Sequence, residues 1–279
     1  VNDEFDDRFM VFEFYPDEQI GHIYDQYERV MNVHSNSSAF FMEYRQNNWH
    51  ADHVKYSIEE YMKRTNNQAK PFFCIGNHDQ PRIVSRLGYE RARALSFMNL
   101  LTPGISVVYY GEEIGMENGE LSEWQLKDTF SPSNTKFDSR DLERTPMQWD
   151  GSEFAGFSEH QPWLPVHANR EWVNVASQRH DQGSMFSMHR NLIALRKEMP
   201  VLIHGSYRPI DVGNGYVLAF ERELNGQKVY VVVNFADQPQ SINLPETCSL
   251  VVSSDLSSGH EMDINQLNAY EGRLLRPSY

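Results

Sequence analysis

The chain has 279 residues, and its 39 acidic side chains outnumber its 25 basic ones, for a formal charge of −14. That balance argues against nucleic acid as the main partner, because phosphate binding needs a surplus of Lys and Arg; solubility is the simplest reading of the charge. With 40% hydrophobic and 23% charged residues, the chain can bury a core and is not a disordered segment, and no apolar run approaches the ~18 residues of a membrane span.

Val1–Arg8 is acidic where a secretory signal is basic and then apolar, so no signal peptide opens the chain. The first residue is Val, and the natural start is expected to lie upstream. Arg8–Tyr15 (RFMVFEFY) is a short apolar run with one acid inside it. Asn36-Ser37-Ser38 fits the N-glycosylation pattern. The spacing predicts an amphipathic helix over Val54–Arg64, a buried strand over Pro71–Gly76, a helix over Tyr89–Leu101 and a strand over Ile105–Tyr110. Strands alternating with helices imply a parallel sheet with crossover connections. Such strands are buried on both faces, hence the near-continuous apolar runs.

The segment 112–182 is rich in Ser, Asn, Pro, Gln and Trp, without periodicity; long loops of this kind are usually functional. Helical spacing returns at Met185, Met188, Leu192, Leu195 and Met199, with Pro200 as the stop. Beyond it, Tyr216–Phe220, Val229–Phe235, Gln240–Leu244 and Ser249–Ser253 read as short strands, with Asn225-Gly226 as a hairpin turn. This is an all-β module of roughly 75 residues. The two cysteines, Cys74 and Cys248, are too few for a disulfide framework and read as buried small hydrophobes.

Two segments carry chemistry at strand ends. Glu13 sits among Val11, Phe12, Phe14 and Tyr15. Desolvation there raises a carboxyl pKa, as a general acid near neutral pH requires; an ordinary strand acid in a salt bridge fits the same run. In Gly76-Asn77-His78-Asp79-Gln80-Pro81-Arg82 an apolar strand runs into four hydrogen-bonding side chains, and Pro81 bars its continuation. Donors and acceptors at one point suit vicinal hydroxyls; a turn or helix-capping cluster is the other reading.

GNHDQPRIVSRLG resembles the last catalytic signature of the α-amylase family of glycoside hydrolases (family thirteen), and the likeness continues through PGISVVYYGEEIGM, SRDLERTPMQWDGSEFAGFS, PWLPV and VNVASQ. These blocks resemble the α-glucosidase and oligo-1,6-glucosidase branch, animal maltases above all. The resemblance implies the α/β C-terminal half of a TIM (β/α)8 barrel, strands five to eight, over residues 1–200, followed by an all-β sandwich over 201–279. It implies that Glu13, after the fifth strand, is the general acid/base. Asp79, after the seventh, binds sugar hydroxyls and stabilises the transition state. His78 and Arg140 bind the same terminal glucose.

The resemblance also defines what the chain lacks. A retaining glycosidase needs a second carboxyl, the nucleophile, about 5–5.5 Å from the first. In this family it lies in a Gly-x-Arg-x-Asp segment after the fourth strand, and the sequence has no such segment; Ser139-Arg140-Asp141 belongs to the later block. The earlier Asp-Asn-His motif is missing as well. Four strands of an eight-stranded barrel leave two open edges. The chain therefore reads as the C-terminal portion of a longer enzyme, inactive alone: a fragment, a partial gene product or one piece of a nicked chain. Its implied partners are a small oligosaccharide and the missing N-terminal barrel half. No cofactor is implied for this portion, and calcium, where family members hold it, belongs to the earlier half. The expected setting is secreted, extracellular or membrane-anchored, any anchor lying outside this chain. The Trp-rich stretch from Trp124 to Trp172 is expected to shape a closed pocket.

His50-Ala51-Asp52-His53 has the spacing of a small metal cluster but no further ligands nearby, and reads as a helix start. Glu112-Glu113 reads as structural, because adjacent side chains on an extended strand point apart. The rival function is a noncatalytic glucosidase-like ectodomain, the heavy subunit of an amino-acid transporter. That class tends to lose active-site residues, whereas Glu13, Asp79 and Arg140 stand intact.

Overall fold

The computed structural model describes residues 10–12, 37–41, 49–64, 72–128, 139–255 and 263–278. Glu13 and Asn36 lie outside the described residues. Four short strands, β1 (Met10–Phe12), β2 (Ser37–Phe41), β3 (Phe72–Cys74) and β4 (Ile105–Val107), form a parallel sheet in the order β1-β2-β3-β4. Neighbours in sequence are neighbours in space, with no reversal of order. That is how consecutive units of a (β/α)8 barrel are arranged, and not a doubly wound sheet. The apolar runs do not reveal β2: SSAFF opens with two serines and is short. Ser37 and Ser38 of the glycosylation triplet pair with Met10 and Val11 of β1.

Helix α1 (Ala51–Arg64) joins β2 to β3, and α2 (Ile83–Leu87) and α3 (Tyr89–Leu101) join β3 to β4. Ala92, Leu95, Ser96, Phe97, Met98 and Asn99 of α3 are all buried. A helix buried all round has partners on every side, here the barrel segment and the C-terminal module. Between β4 and residue 184 the described chain runs in loops and single helical turns, among them Glu112–Ile114 and Arg140–Arg144, plus the short α4 (Val175–Gln178). Helix α5 (Met185–Glu198) follows, with the Ser184 side chain accepting from Ser187 N as its N-cap. Pro200 does more than stop it: Pro sits at the start of α6 (Pro200–His204), where a missing N–H costs nothing.

The C-terminal module is a five-stranded antiparallel sheet, ordered β5 (Arg208–Pro209), β6 (Val217–Leu224), β7 (Gln227–Asn234), β11 (Gly272–Pro277), β9 (Cys248–Ser253). A small ladder of β8 (Gln240–Ser241) and β10 (Gln266–Leu267) accompanies it. Asn225 and Gly226 turn between β6 and β7 with φ of 52° and 82°, the left-handed pair of a type I′ hairpin. Side chains alternate across this sheet. Leu218, Phe220, Val229, Val231 and Val233 join the main core with α1, α3 and α5. Val217, Ala219, Tyr230 and Val232 face a second core with Ile242, Leu267 and Leu275. Burial on both faces explains the run Val229–Val233. Cys74 and Cys248 are both buried.

Candidate active site

The C-terminal ends of β1 and β3 lie on one edge of the parallel sheet. Beyond β3 the backbone turns at once: Asn77 Oδ1 accepts from the Asp79 amide at 2.9 Å, an Asx turn that presents His78 and Asp79. His78 is exposed, and its Nε2 lies 3.5 Å from Asp79 Oδ2. The other oxygen, Asp79 Oδ1, is gripped by two guanidiniums, Arg140 Nη1 at 2.9 Å and Arg144 Nη2 at 2.8 Å. Both come from the short 3-10 helix Arg140–Arg144.

Arg140 is itself anchored. Its Nε and Nη2 donate to the two oxygens of Asp128 at 2.9 and 3.1 Å, the bidentate fork that Arg forms with a carboxylate. These hydrogen bonds, and the second one to Asp79, raise the Arg140 pKa further. Asp141 in turn accepts from the amides of Lys127 and Asp128, the latter at 2.7 Å. The loop carrying Asp128 is thus tied to the turn carrying Arg140. Arg144 donates its Nε to the His78 carbonyl at 2.8 Å.

The residues after β4 bind this assembly to the sheet. Tyr109 and Tyr110, expected within the strand, leave it after Val107. Tyr109 hydroxyl donates to Glu143 O at 3.2 Å and Tyr110 hydroxyl to Thr145 O at 2.6 Å. Arg82 is buried beneath, donating to Tyr110 O at 2.6 Å with its guanidinium over the Tyr110 ring. Glu143 is buried, and burial pushes its pKa up to about 7. Glu112 and Glu113 lie in the 3-10 turn Glu112–Ile114 and not on an extended strand as expected. Glu112 is buried, with Oε2 accepting from Tyr109 N, and burial raises its pKa to about 8. Glu113 accepts from Gly111 N at 2.7 Å.

Arg144 also lines a mainly apolar cavity of about 420 Å³ with Tyr110, Glu113, Met147, Trp149 and Trp163. Trp124, Trp149, Trp163 and Trp172 all stand exposed. Among the described residues no group of three or more His, Cys, Asp or Glu is placed to hold a metal, and His50 is exposed at the start of α1. Sequence reasoning brought Asp79, His78 and Arg140 together, and they do meet. It missed Arg144 and Asp128. Neither carries a local signal: in a 3-10 helix positions four apart do not align, and Asp128 reaches Arg140 only through folding of the loop.

Residues 2–205 match the family model described as alpha amylase, catalytic domain, and residues 207–271 match that described as maltogenic amylase, C-terminal domain. The chain is 33% identical to maltase 1 of Drosophila virilis, over 88% of this chain and 41% of that protein. It is 29% identical to oligo-1,6-glucosidase of Parageobacillus thermoglucosidasius, over 82% and 46%. It therefore spans less than half the length of these curated relatives. Among solved structures it is similar to the trehalulose synthase of Pseudomonas mesoacidophila MX-45, with a TM-score of 0.71, 29% identity and coverage of 86% of this chain and 50% of that one. The parallel strand order, the doubly gripped Asp79 at its edge and these matches converge: the chain belongs to the α-amylase family of glycoside hydrolases.

Proposed function

We propose that this chain is the C-terminal portion of a retaining α-glucosidase of maltase type, releasing terminal α-linked glucose from maltose, sucrose or short oligosaccharides. The observation that carries the reading is the Asp79 carboxylate, fixed through Oδ1 by Arg140 and Arg144 with Oδ2 beside His78. A carboxylate anchored by one oxygen presents the other to sugar hydroxyls and to the positive charge that grows on the ring in the transition state. In this reading an Asp on the partner half of the barrel attacks the anomeric carbon. Glu13 protonates the departing glycosidic oxygen, then removes a proton from the water that releases glucose with its configuration retained. His78 and Arg140 hold the same ring. The noncatalytic transporter-subunit reading gives no role to a carboxylate so anchored at the strand end.

The partner in this reading is the N-terminal half of the barrel. Strand β4 pairs with β3 and, among the described residues, with no other strand, and an open parallel edge is rare. The apolar cavity beside Tyr110 and a second one along α5, lined by Phe186, Ile193 and Ala194, share Glu113 as a wall. Together with the β4 edge they form the seat for an incoming strand and helix.

The test is a glucose-release assay on maltose. The 279-residue chain alone turns over nothing. Co-expression with the preceding barrel half restores turnover, which Asp79→Asn then lowers by ~10³-fold while the halves still co-purify. Turnover by the chain alone, or near-parent turnover by the Asp79→Asn assembly, refutes the reading.

A further inference from the structure

We infer that Arg144 is a positioning residue for catalysis, acting through Asp79 without touching the sugar; this deepens the glucosidase reading and rests on it. Arg140 and Arg144 differ in how they are committed. Arg140 divides its guanidinium between two carboxylates, Asp128 through Nε and Nη2 and Asp79 through Nη1. Arg144 spans the catalytic turn: Nη2 holds Asp79 Oδ1 and Nε holds the carbonyl of His78, the residue before it, both at 2.8 Å. Among the described residues its carboxylate partner is Asp79.

One rigid fork therefore fixes both the side chain of Asp79 and the backbone that carries it. Together with Arg140 it holds Asp79 Oδ1, with Oδ2 beside His78. The fork also borders the aromatic cavity, so the seat for the other barrel half and the carboxylate share one side chain. Lysine cannot substitute, since a single ammonium on a flexible stem does not reproduce two donors at fixed separation.

The experiment is a double-mutant cycle of Arg144→Met and Asp79→Asn in the assembled enzyme, read on p-nitrophenyl α-glucoside. Arg144→Met is expected to lower kcat by about 100-fold with KM changed less than about threefold, the size of effect that a small misplacement of a reacting group produces. Arg144→Lys is expected not to restore kcat. In the cycle, the double variant is expected to be no slower than Asp79→Asn alone, because the two changes remove one function. Additive losses overturn the inference, since Arg144 would then act elsewhere. Loss of the folded chain in both Arg144→Met and Arg144→Lys overturns it too. If the parent assembly turns over no α-glucoside, the glucosidase reading itself fails. Arg144 is then judged on the 279-residue chain by the 13C resonance of the Asp79 carboxyl. Its protonation midpoint is expected to move up by about one pH unit in Arg144→Met, as loss of a neighbouring cation dictates, and an unmoved midpoint overturns the pairing.

Discussion

Gly76 has no room for a β-carbon: one built on its backbone stands 2.4 Å from Oε1 of Glu112. Glu112 is 4% exposed and is held by the Tyr109 amide through its other oxygen. The single turn after β4 thus presses a carboxyl against the backbone that leads into the Asp79 turn. A β-carbon here requires the far end of the Glu112 side chain to move.

Gly76→Ala is therefore expected to cost about 1 kcal/mol, the low end of the overpacking range, because the Glu112 carboxyl can shift to admit the methyl group. Glu112→Ala in the same chain is expected to recover part of that loss by vacating the space. Urea unfolding of the two single variants and the double variant checks this; full additivity of the two losses refutes the proposed clash.

Glu112 also predicts a pH dependence. Burial is the main reason its pKa stands at about 8, against an ordinary 4.5; the Tyr109 amide and Arg86 pull it down, and Glu113 adds to the rise. A raised folded-state value means that the folded chain keeps a proton which the unfolded chain gives up. Its stabilising contribution is complete below about pH 4.5 and is lost as pH climbs to about 8. Glu143, raised to about 7 by burial, adds in the same direction. His189, which burial lowers to about 4 from 6.5, acts oppositely, costing stability as pH falls through that interval. The clean measurement is the difference between the parent and Glu112→Gln. Across pH 5–8 the parent is expected to lose stability relative to the variant by on the order of a few kcal/mol. A pH-independent difference contradicts the assignment.

Arg222 ties the two halves of the molecule together. It is fully buried in β6 and donates to four main-chain carbonyls: Ser206 at 2.8 Å, Gly205 at 2.9 Å, and Leu202 and Leu101 at 3.1 Å. Leu101 is the last residue of α3, where helical carbonyls lack partners. Arg196 of α5 serves the same helix end through Leu100 O and Thr102 O. Arg222→Met is expected to destabilise by about 3–5 kcal/mol, because four carbonyls lose their donor and each buried acceptor left unsatisfied costs about 1–3 kcal/mol. It is also expected to split a single denaturant transition into two, as barrel and sandwich lose their shared clamp. A loss under about 1 kcal/mol, within the range of one ordinary hydrogen bond, contradicts this role.

Much of the architecture was legible because its signals are local. The Asn225-Gly226 turn, the Val229–Val233 run and the spacing of α5 each depend on residues a few positions apart, and each became the expected element. The strands β2 and β11 were not legible. SSAFF is short and begins polar, and GRLLRP carries two arginines, one of them, Arg273, buried against Glu271. Their place in a sheet depends on neighbours, which a one-dimensional pattern does not contain. Ile105–Tyr110 was too long as a strand because Tyr109 and Tyr110 are apolar enough to extend it; their hydroxyls are used instead to hold the segment at Glu143 and Thr145.

Sequence alone determined the family, through ordered motif blocks, and pointed to Asp79, His78 and Arg140 as candidate site residues. Tertiary structure decided how that site is held. Asp79 meets Arg140 and Arg144 across 61 and 65 residues of chain, Arg140 meets Asp128, and Glu112 closes on Gly76. The physical reason is that periodicity and turn chemistry act over a few residues, whereas hydrogen bonds at 2.8–3.1 Å between distant segments exist only once packing has fixed where those segments lie.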